Sequence, residues 1–321
     1  MGRYIIRRVL WVIVVMIVVT FLAFLVFYVL PSSKPENSFV GKAPTPELIA
    51  QVRKDLGLNH PAIVQYGLFV KRLFLGDKYG WPGLGFSYNT KSPIRDELIS
   101  RFWVTFGLAL GAAIIWLFLG ILIGTISALR RRSALDRGAM GFALLGVSTP
   151  VFFLGILWLF VFWKTLHWIP GTGYVHLTSD PVGYFTHMIS PWIVLALLFA
   201  AIYARVVRGN MLDVLSEDYI RTARAKGLTE RRVVIKHALR AALTPVVTLF
   251  GLDFGILFGG AVVTEKVFNL PGLGNYILDA AFQLDIPVAL AVTTVTALVV
   301  AIMSLLVDIA YAYLDPRVTD S

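Results

Sequence analysis

The feature that most constrains this chain is a set of six apolar stretches, near residues 9–30, 103–129, 139–163, 189–207, 245–263 and 287–311. About 20 apolar residues in a helix cross the roughly 30 Å hydrocarbon core of a bilayer. Lipid offers backbone N–H and C=O groups no partners, so a spanning segment is a helix or part of a closed barrel. Barrel strands would alternate in segments of about ten residues, a pattern this sequence lacks. The expected fold is an all-α integral membrane protein with six transmembrane helices.

The first stretch follows Arg3, Arg7 and Arg8, as a signal peptide would. Its apolar run is too long for one and no small-residue cleavage pattern follows, so an uncleaved span with a cytoplasmic start is expected. A net charge of +10 would fit a nucleic-acid binder, but its distribution gives another reason. With the N-terminus inside, the cytoplasmic pieces hold 17 Lys and Arg against seven acids, Arg130, Arg131, Arg132, Arg137 and Arg317 among them. Short loops rich in Lys and Arg are the cytoplasmic ones. Membrane topology explains the charge, nucleic acid is not an expected partner, and both termini are expected in the cytoplasm.

Chemistry is sparse. There is no cysteine, and His60, His167, His176, His187 and His237 form no pair at ligand spacing, so no metal site is expected. The sequence contains no G-x-x-x-x-G-K-[ST], H-E-x-x-H or G-x-S-x-G motif. The chain is not expected to be an enzyme or to bind a cofactor. If ATP drives its work, another chain hydrolyses it.

Residues 31–101 form an expected external segment. Thr45 and Pro46 can open a helix that Gly57 closes, and Pro61 opens a second that ends near Gly76. Val64, Leu68 and Leu75, with Lys71 and Arg72 among them, suit an amphipathic cap on the outer leaflet or a landing surface for an external partner. In "GVSTPVFF", Pro150 should kink the third span, with Ser148 and Thr149 re-satisfying freed carbonyls. Asp253 and Asp308 lie within spans, where acids face a bundle interior or wet cavity. Asp253 is read as facing a cavity or a satisfied interhelical bond, and Asp308 as interfacial. The stretch 264–285, with Pro271, Gly272 and Gly274, is read as bending back near an outer gate or as a plain buried loop. Ser148, Thr149, Pro150, Asp253, Glu265, Phe268 and Pro271 are the candidates for a translocation path or gate.

Between the fourth and fifth spans comes "EDYIRTARAKGLTERRVVIKHALR", 217–240, with seven Lys or Arg and three acids. Ser216 can cap a helix with Glu217 and Asp218 in its first turn, Gly227 suits the stop, and Thr229 with Glu230 can start a second helix running to about Ala242. Thr244 and Pro245 then begin the fifth span. Ala223 and Gly227, four apart, share a helix face with almost no side chain, which would admit another surface closely. A basic stripe on anionic headgroups and a loop present only for topology are the competing readings.

"TARAKGLTERRVVIKHALRAALTP" resembles the cytoplasmic signature of ABC importer permeases, Glu-Ala-Ala, three residues, Gly, nine residues, Ile, one residue, Leu-Pro. Aligned on Gly227, the Glu-Ala-Ala positions hold Arg221, Thr222 and Ala223, the Ile position His237, and the Leu-Pro positions Leu239 and Arg240. These departures resemble the peptide/nickel branch, as do "VRKDLGLNHPAIVQY" at 52–66, "VSTPVF" at 147–152, "EKVFNLPGLG" at 265–274 and "DPRV" at 315–318. The chain thus looks like the first of two permease subunits of a dipeptide/oligopeptide-type importer.

The resemblance implies a type I importer fold: a peripheral helix over 1–30, the external segment 31–101, and a five-helix core over 102–315 that contains a coupling segment over 209–244. It implies a homologous second permease, two cytoplasmic ATPases carrying ATP and Mg, and an external substrate-binding protein, all at a prokaryotic plasma membrane. Glu217, Asp218, Arg221, Ala223, Arg224, Gly227, Leu228 and Leu239 are the expected ATPase-coupling residues. Peptides are the expected substrate, with nickel chelates, glutathione or oligosaccharides as alternatives. A self-sufficient secondary transporter is the reading from another class, but no convincing internal repeat supports it.

Overall fold

Glycines set the closest helix pair. Helix α4 (Ile94–Leu129) carries Gly107, Gly111, Gly120 and Gly124, all turned toward α7 (Pro181–Leu215). A Cβ at Gly120 would lie 2.6 Å from the Tyr203 Cβ, and one at Gly124 would lie 2.6 Å from the Ala204 carbonyl. Small residues let helices in lipid approach closely, where dispersion and polar contacts replace the missing hydrophobic drive. Trp116 stacks on Phe199 at 4.8 Å, and the Trp192 Nε1–H donates to the Gly107 carbonyl at 2.9 Å.

The computed structural model describes residues 2–29, 45–56, 59–87 and 89–314. The helix stop expected at Gly57 and the terminal "DPRV" lie outside the described residues. Helix α1 (Gly2–Phe24) closes in a π-helical turn, Leu25–Val29. Helices α2 (Pro46–Leu56) and α3 (Ala62–Leu75) follow, then a two-stranded antiparallel hairpin of β1 (Phe86–Ser87) and β2 (Ser92–Pro93) with Phe86 opposite Pro93. Both helices of this segment start where their Pro residues direct, and Gly76 closes α3 with φ +85°. The hairpin has no counterpart in the sequence reading, because two-residue strands carry no periodicity.

Among the described residues, four helices are long and apolar enough to cross a membrane: Ile5–Val29, Ile94–Leu129, Pro181–Leu215 and Ile286–Ile309. The last is most of α13 (Ile286–Leu314). Two more pairs qualify only when joined across a break. Helix α5 (Ala134–Ser148) and α6 (Val151–Thr165) meet at 105°, and α9 (Glu230–Ala242) meets the apolar α10 (Thr244–Gly260) at 49°. The kink expected at Pro150 is thus a complete break. The residue before a proline avoids helical φ and ψ, and Thr149 is extended at φ −94°, ψ 123°, so α5 stops at Ser148. The Thr149 hydroxyl does donate to the Leu145 carbonyl at 2.7 Å.

The stretch 264–285, expected as a bent-back loop, is mostly helix: α11 (Val262–Val267) and α12 (Leu273–Gln283), separated by a turn through Phe268–Gly272. Helix α1 packs against α13 at the edge of the bundle. Asp308, expected at an interface, pairs there with Arg8 at 3.1 Å. The core runs through α4, α7 and the inner faces of α10 and α13.

Candidate functional site

The charged stretch folds as a helical elbow. Its first arm is α8 (Asp218–Ala225), its second α9. Gly227 has φ +76°, a conformation that costs glycine nothing and other residues more. It allows a Schellman closure: the Leu228 N–H reaches the Ala223 carbonyl at 3.4 Å and the Gly227 N–H the Arg224 carbonyl at 2.9 Å. Across the turn, Arg224 grips Glu230 with two hydrogen bonds, Nε to Oε2 at 3.1 Å and Nη2 to Oε1 at 2.8 Å. The guanidinium holds the Glu230 carboxyl below the usual carboxylate range. Both groups are too exposed for this pair to add much stability; its consequence is to set the angle of the elbow.

Three sequence expectations change here. Ser216 does not cap α8: Glu217 occupies that position, and the Ser216 hydroxyl donates backward to the Asp213 carbonyl. Thr229 stands at the N-cap of α9 but makes no capping bond with its side chain. Ala223 is not part of an open small face with Gly227. It is 8% exposed and packs inward with Ile220, Val233 and Ala238, because the stripe that docks α8 onto the bundle must itself be apolar and small. A Cβ at Gly227 would meet nothing within 4 Å, so only Gly227 of that pair is open to a partner.

Glu217, Asp218, Arg221 and Arg224 are exposed, with Arg221 3.3 Å from Asp218, while Leu228 and Leu239 are half-buried against the core. Sequence reasoning missed Tyr219 and Ile235, which stand 46% and 55% exposed among the basic residues. Their signal was an apolar residue off the buried stripe of each arm. The elbow is fastened to α7 where the Asn210 side-chain amide donates to the Ala242 carbonyl at 3.1 Å.

The path and gate candidates do not form one cluster. Ser148 and Pro150 are exposed at the break between α5 and α6. Asp253 is half-buried on α10 and accepts a bond from the Tyr203 hydroxyl at 2.9 Å, the interhelical alternative of its two readings. Glu265 and Phe268, candidates for a path or gate, are sealed within the chain, at 0% and 2% exposed. The Glu265 carboxylate accepts from Thr105 Oγ1 at 2.6 Å and from the Asn275 N–H at 2.8 Å, and Thr105 Oγ1 accepts from the Leu273 N–H at 2.8 Å. A side chain at Gly272 would collide with that carboxylate, which is why the turn carries glycine there. Pro271 is exposed at the tip of the same turn. The α6 limb reaches this segment through Gly155, whose Cα faces Val267 and Phe268.

A second buried charge went unread in the sequence. Asp136, in the first turn of α5, accepts two bonds from Arg208 of α7, Nε to Oδ1 at 2.6 Å and Nη2 to Oδ2 at 2.9 Å. It also accepts from Ser127 Oγ at 2.5 Å and from the Arg132 N–H at 2.8 Å. One carboxylate therefore ties together the ends of α4, α5 and α7.

Comparison with known proteins decides the family. The family model for the binding-protein-dependent transport system inner membrane component matches residues 120–320, and the model for the N-terminal part of such membrane components matches 1–109. The chain belongs to this permease family. A relative from Brucella abortus, named as a peptide transport system permease protein, is 40% identical over 318 residues, covering 99% of both chains. A dipeptide transport system permease protein of Alkalihalophilus pseudofirmus is 37% identical over 339 residues, and a glutathione transport system permease protein of Escherichia coli 38% over 318, each again across 99% of both chains. For this permease, the helical membrane architecture and the transport role stand on the same ground.

Proposed function

We propose that this permease forms half of the translocation path of an ATP-driven importer for short peptides. Six spans with both termini in the cytoplasm would count the α5–α6 pair as one crossing and α10 as another, with the α8–α9 elbow outside the membrane on the cytoplasmic side. The observation that carries the reading is that elbow: a positively charged helical turn with Gly227 and two apolar side chains open at its surface. Such a surface suits a soluble ATPase bearing acids and an apolar cleft. Two ATPases would hold ATP and Mg, a homologous permease would supply the other half of the path, and an external binding protein would deliver substrate. The names of the relatives, for peptide, dipeptide and glutathione transport, converge on short peptidic substrates. Closure of the ATPases would move the elbow and rock the two halves between inward- and outward-open states.

Reconstitution tests this directly. Proteoliposomes holding the two permeases and both ATPases should take up a labelled dipeptide or tripeptide only with ATP inside and binding protein outside. The permease alone should neither bind nor hydrolyse ATP. Uptake by the permease alone, driven by an ion gradient, would replace this reading with a secondary transporter.

The turn between α11 and α12 is the proposed outer gate. Because the chain has no cysteine, single cysteines at the exposed Asn269 and Pro271 report accessibility cleanly. Their labelling rates should change when the ATPases are trapped with nucleotide. Equal rates in both states would remove this turn from the gate.

A further inference from the structure

A cavity of about 300 Å³ lies away from the elbow and the gate, at the end of the bundle where α1 finishes and α13 begins. Its floor is apolar: Tyr28 from the last turn of α1, Phe69 from α3, and Leu290 and Ala291 from α13. Tyr28, Phe69 and Leu290 also belong to a small apolar cluster separate from the main core. Its rim carries two cations, Arg72 and Lys78. Lys78 Nζ sits 5.1 Å from the centre of the Tyr79 ring, which stacks on Phe86 at 5.1 Å.

Among the described residues one acid, Asp77, lines the cavity, and its carboxylate is turned to the loop's own backbone. Oδ1 accepts from the Tyr79 N–H at 2.7 Å, and Oδ2 from the Gly85 N–H at 2.9 Å. The loop is further closed by reciprocal backbone bonds between Asp77 and Gly80, at 3.0 and 3.1 Å. The wall is therefore preformed, its acid serves the fold, and Arg72 and Lys78 are part of the lining.

Depth decides what such a cavity takes. The apolar run of α1 ends at Val29 and that of α13 begins at Ile286, so the floor lies at the edge of the hydrocarbon layer and the rim at headgroup level. The neighbouring face of α1 is open to lipid, with Leu22, Val26 and Val29 about half exposed. A soluble anion would use the rim and leave the floor empty. A phospholipid uses both, since its phosphate meets cations where its first methylenes meet apolar surface. We propose that this cavity binds an anionic phospholipid, with its phosphate between Arg72 and Lys78 and its acyl chains descending past Tyr28, Phe69 and Leu290 along the α1–α13 seam. The site depends on the chain spanning a membrane and not on the coupling role of the elbow.

Native mass spectrometry of the full-length permease, delipidated in detergent and offered phosphatidylglycerol or phosphatidylcholine, tests the proposal. Retention of phosphatidylglycerol should exceed that of phosphatidylcholine by at least about fivefold, from two cations near a headgroup. Arg72→Gln with Lys78→Gln should erase the difference, and Lys78→Gln alone, at an exposed side chain, should reduce it. Lys71→Gln with Lys91→Gln removes equal charge from exposed positions outside the cavity and should change nothing. Equal retention of the two lipids, or loss of preference in the Lys71/Lys91 variant as large as in the Arg72/Lys78 variant, would overturn the site. Displacement of the lipid by glycerol phosphate at equal concentration would overturn the lipid as occupant in favour of a soluble phosphate.

Discussion

Replacing Gly227 by leucine is expected to reduce ATP-driven uptake more than about tenfold while the permease still folds and inserts. The residue holds φ +76°, and a side chain in that region costs roughly 1–2 kcal/mol. That strain is small beside the several kcal/mol that hold a domain together, and a Cβ here meets nothing in the chain itself. The expected loss therefore arises at the elbow. Its Schellman closure re-forms at another angle, and an isobutyl group stands where the ATPase would approach. Asparagine tolerates this conformation better than leucine does, so Gly227→Asn keeps the turn while adding a smaller side chain. Intermediate uptake for Gly227→Asn would assign most of the effect to backbone geometry; loss equal to leucine would assign it to the contact. Pull-down of the ATPases by each variant reads the docking step separately. Normal uptake with normal ATPase association for Gly227→Leu would show that the elbow is a membrane-surface helix and sink the coupling proposal.

The second large effect is on stability. Asp136→Ala should lower the thermal midpoint of the purified permease by several degrees. The carboxylate is 6% exposed and Arg208 22%, so removal of one partner strands a largely buried guanidinium together with the Ser127 hydroxyl and the Arg132 N–H. Breaking a buried pair in this way typically costs about 3–5 kcal/mol. Arg208→Lys should recover only part of the stability, since an ammonium cannot reproduce the two-bond grip. The comparison is Asp213→Ala, an exposed acid on the same α7 helix. Equal midpoints for Asp136→Ala and Asp213→Ala would show that the network adds nothing.

The contrast between these two residues shows how far the sequence could be read. Gly227 was legible because its signal is local: a glycine after a charged helical turn marks a left-handed stop, and the backbone has one there. Four of the expected spans were legible for the same reason, since apolar length is a property of contiguous residues. Asp136 and Arg208 are 72 positions apart, and nothing local says that they meet. Ala223 was misjudged because an alanine among arginines reads as surface until the helix is docked, and docking turns that face inward. Pro150 announced a disturbance, but the 105° angle comes from where α6 packs, against Val267 and Phe268. Glu265 lay in a motif suggestive of a gate, and only the third dimension reveals Thr105 and Asn275 closing over it.

Helices α4 and α7, of 36 and 35 residues, are each roughly 50 Å long at 1.5 Å per residue. They interlock along much of that length at the glycines of α4. Mechanically, two rods mated in this way form a beam, because flexing one would force side chains of the other into contacts that already lack room for a methyl group. Compliance is then left to the joints. Those joints are the turns at Thr149–Pro150, Lys226–Thr229, Leu243 and Phe268–Gly272. If the elbow is driven as proposed, a stiff mast with four joints would need only small displacements at its base to swing its far end.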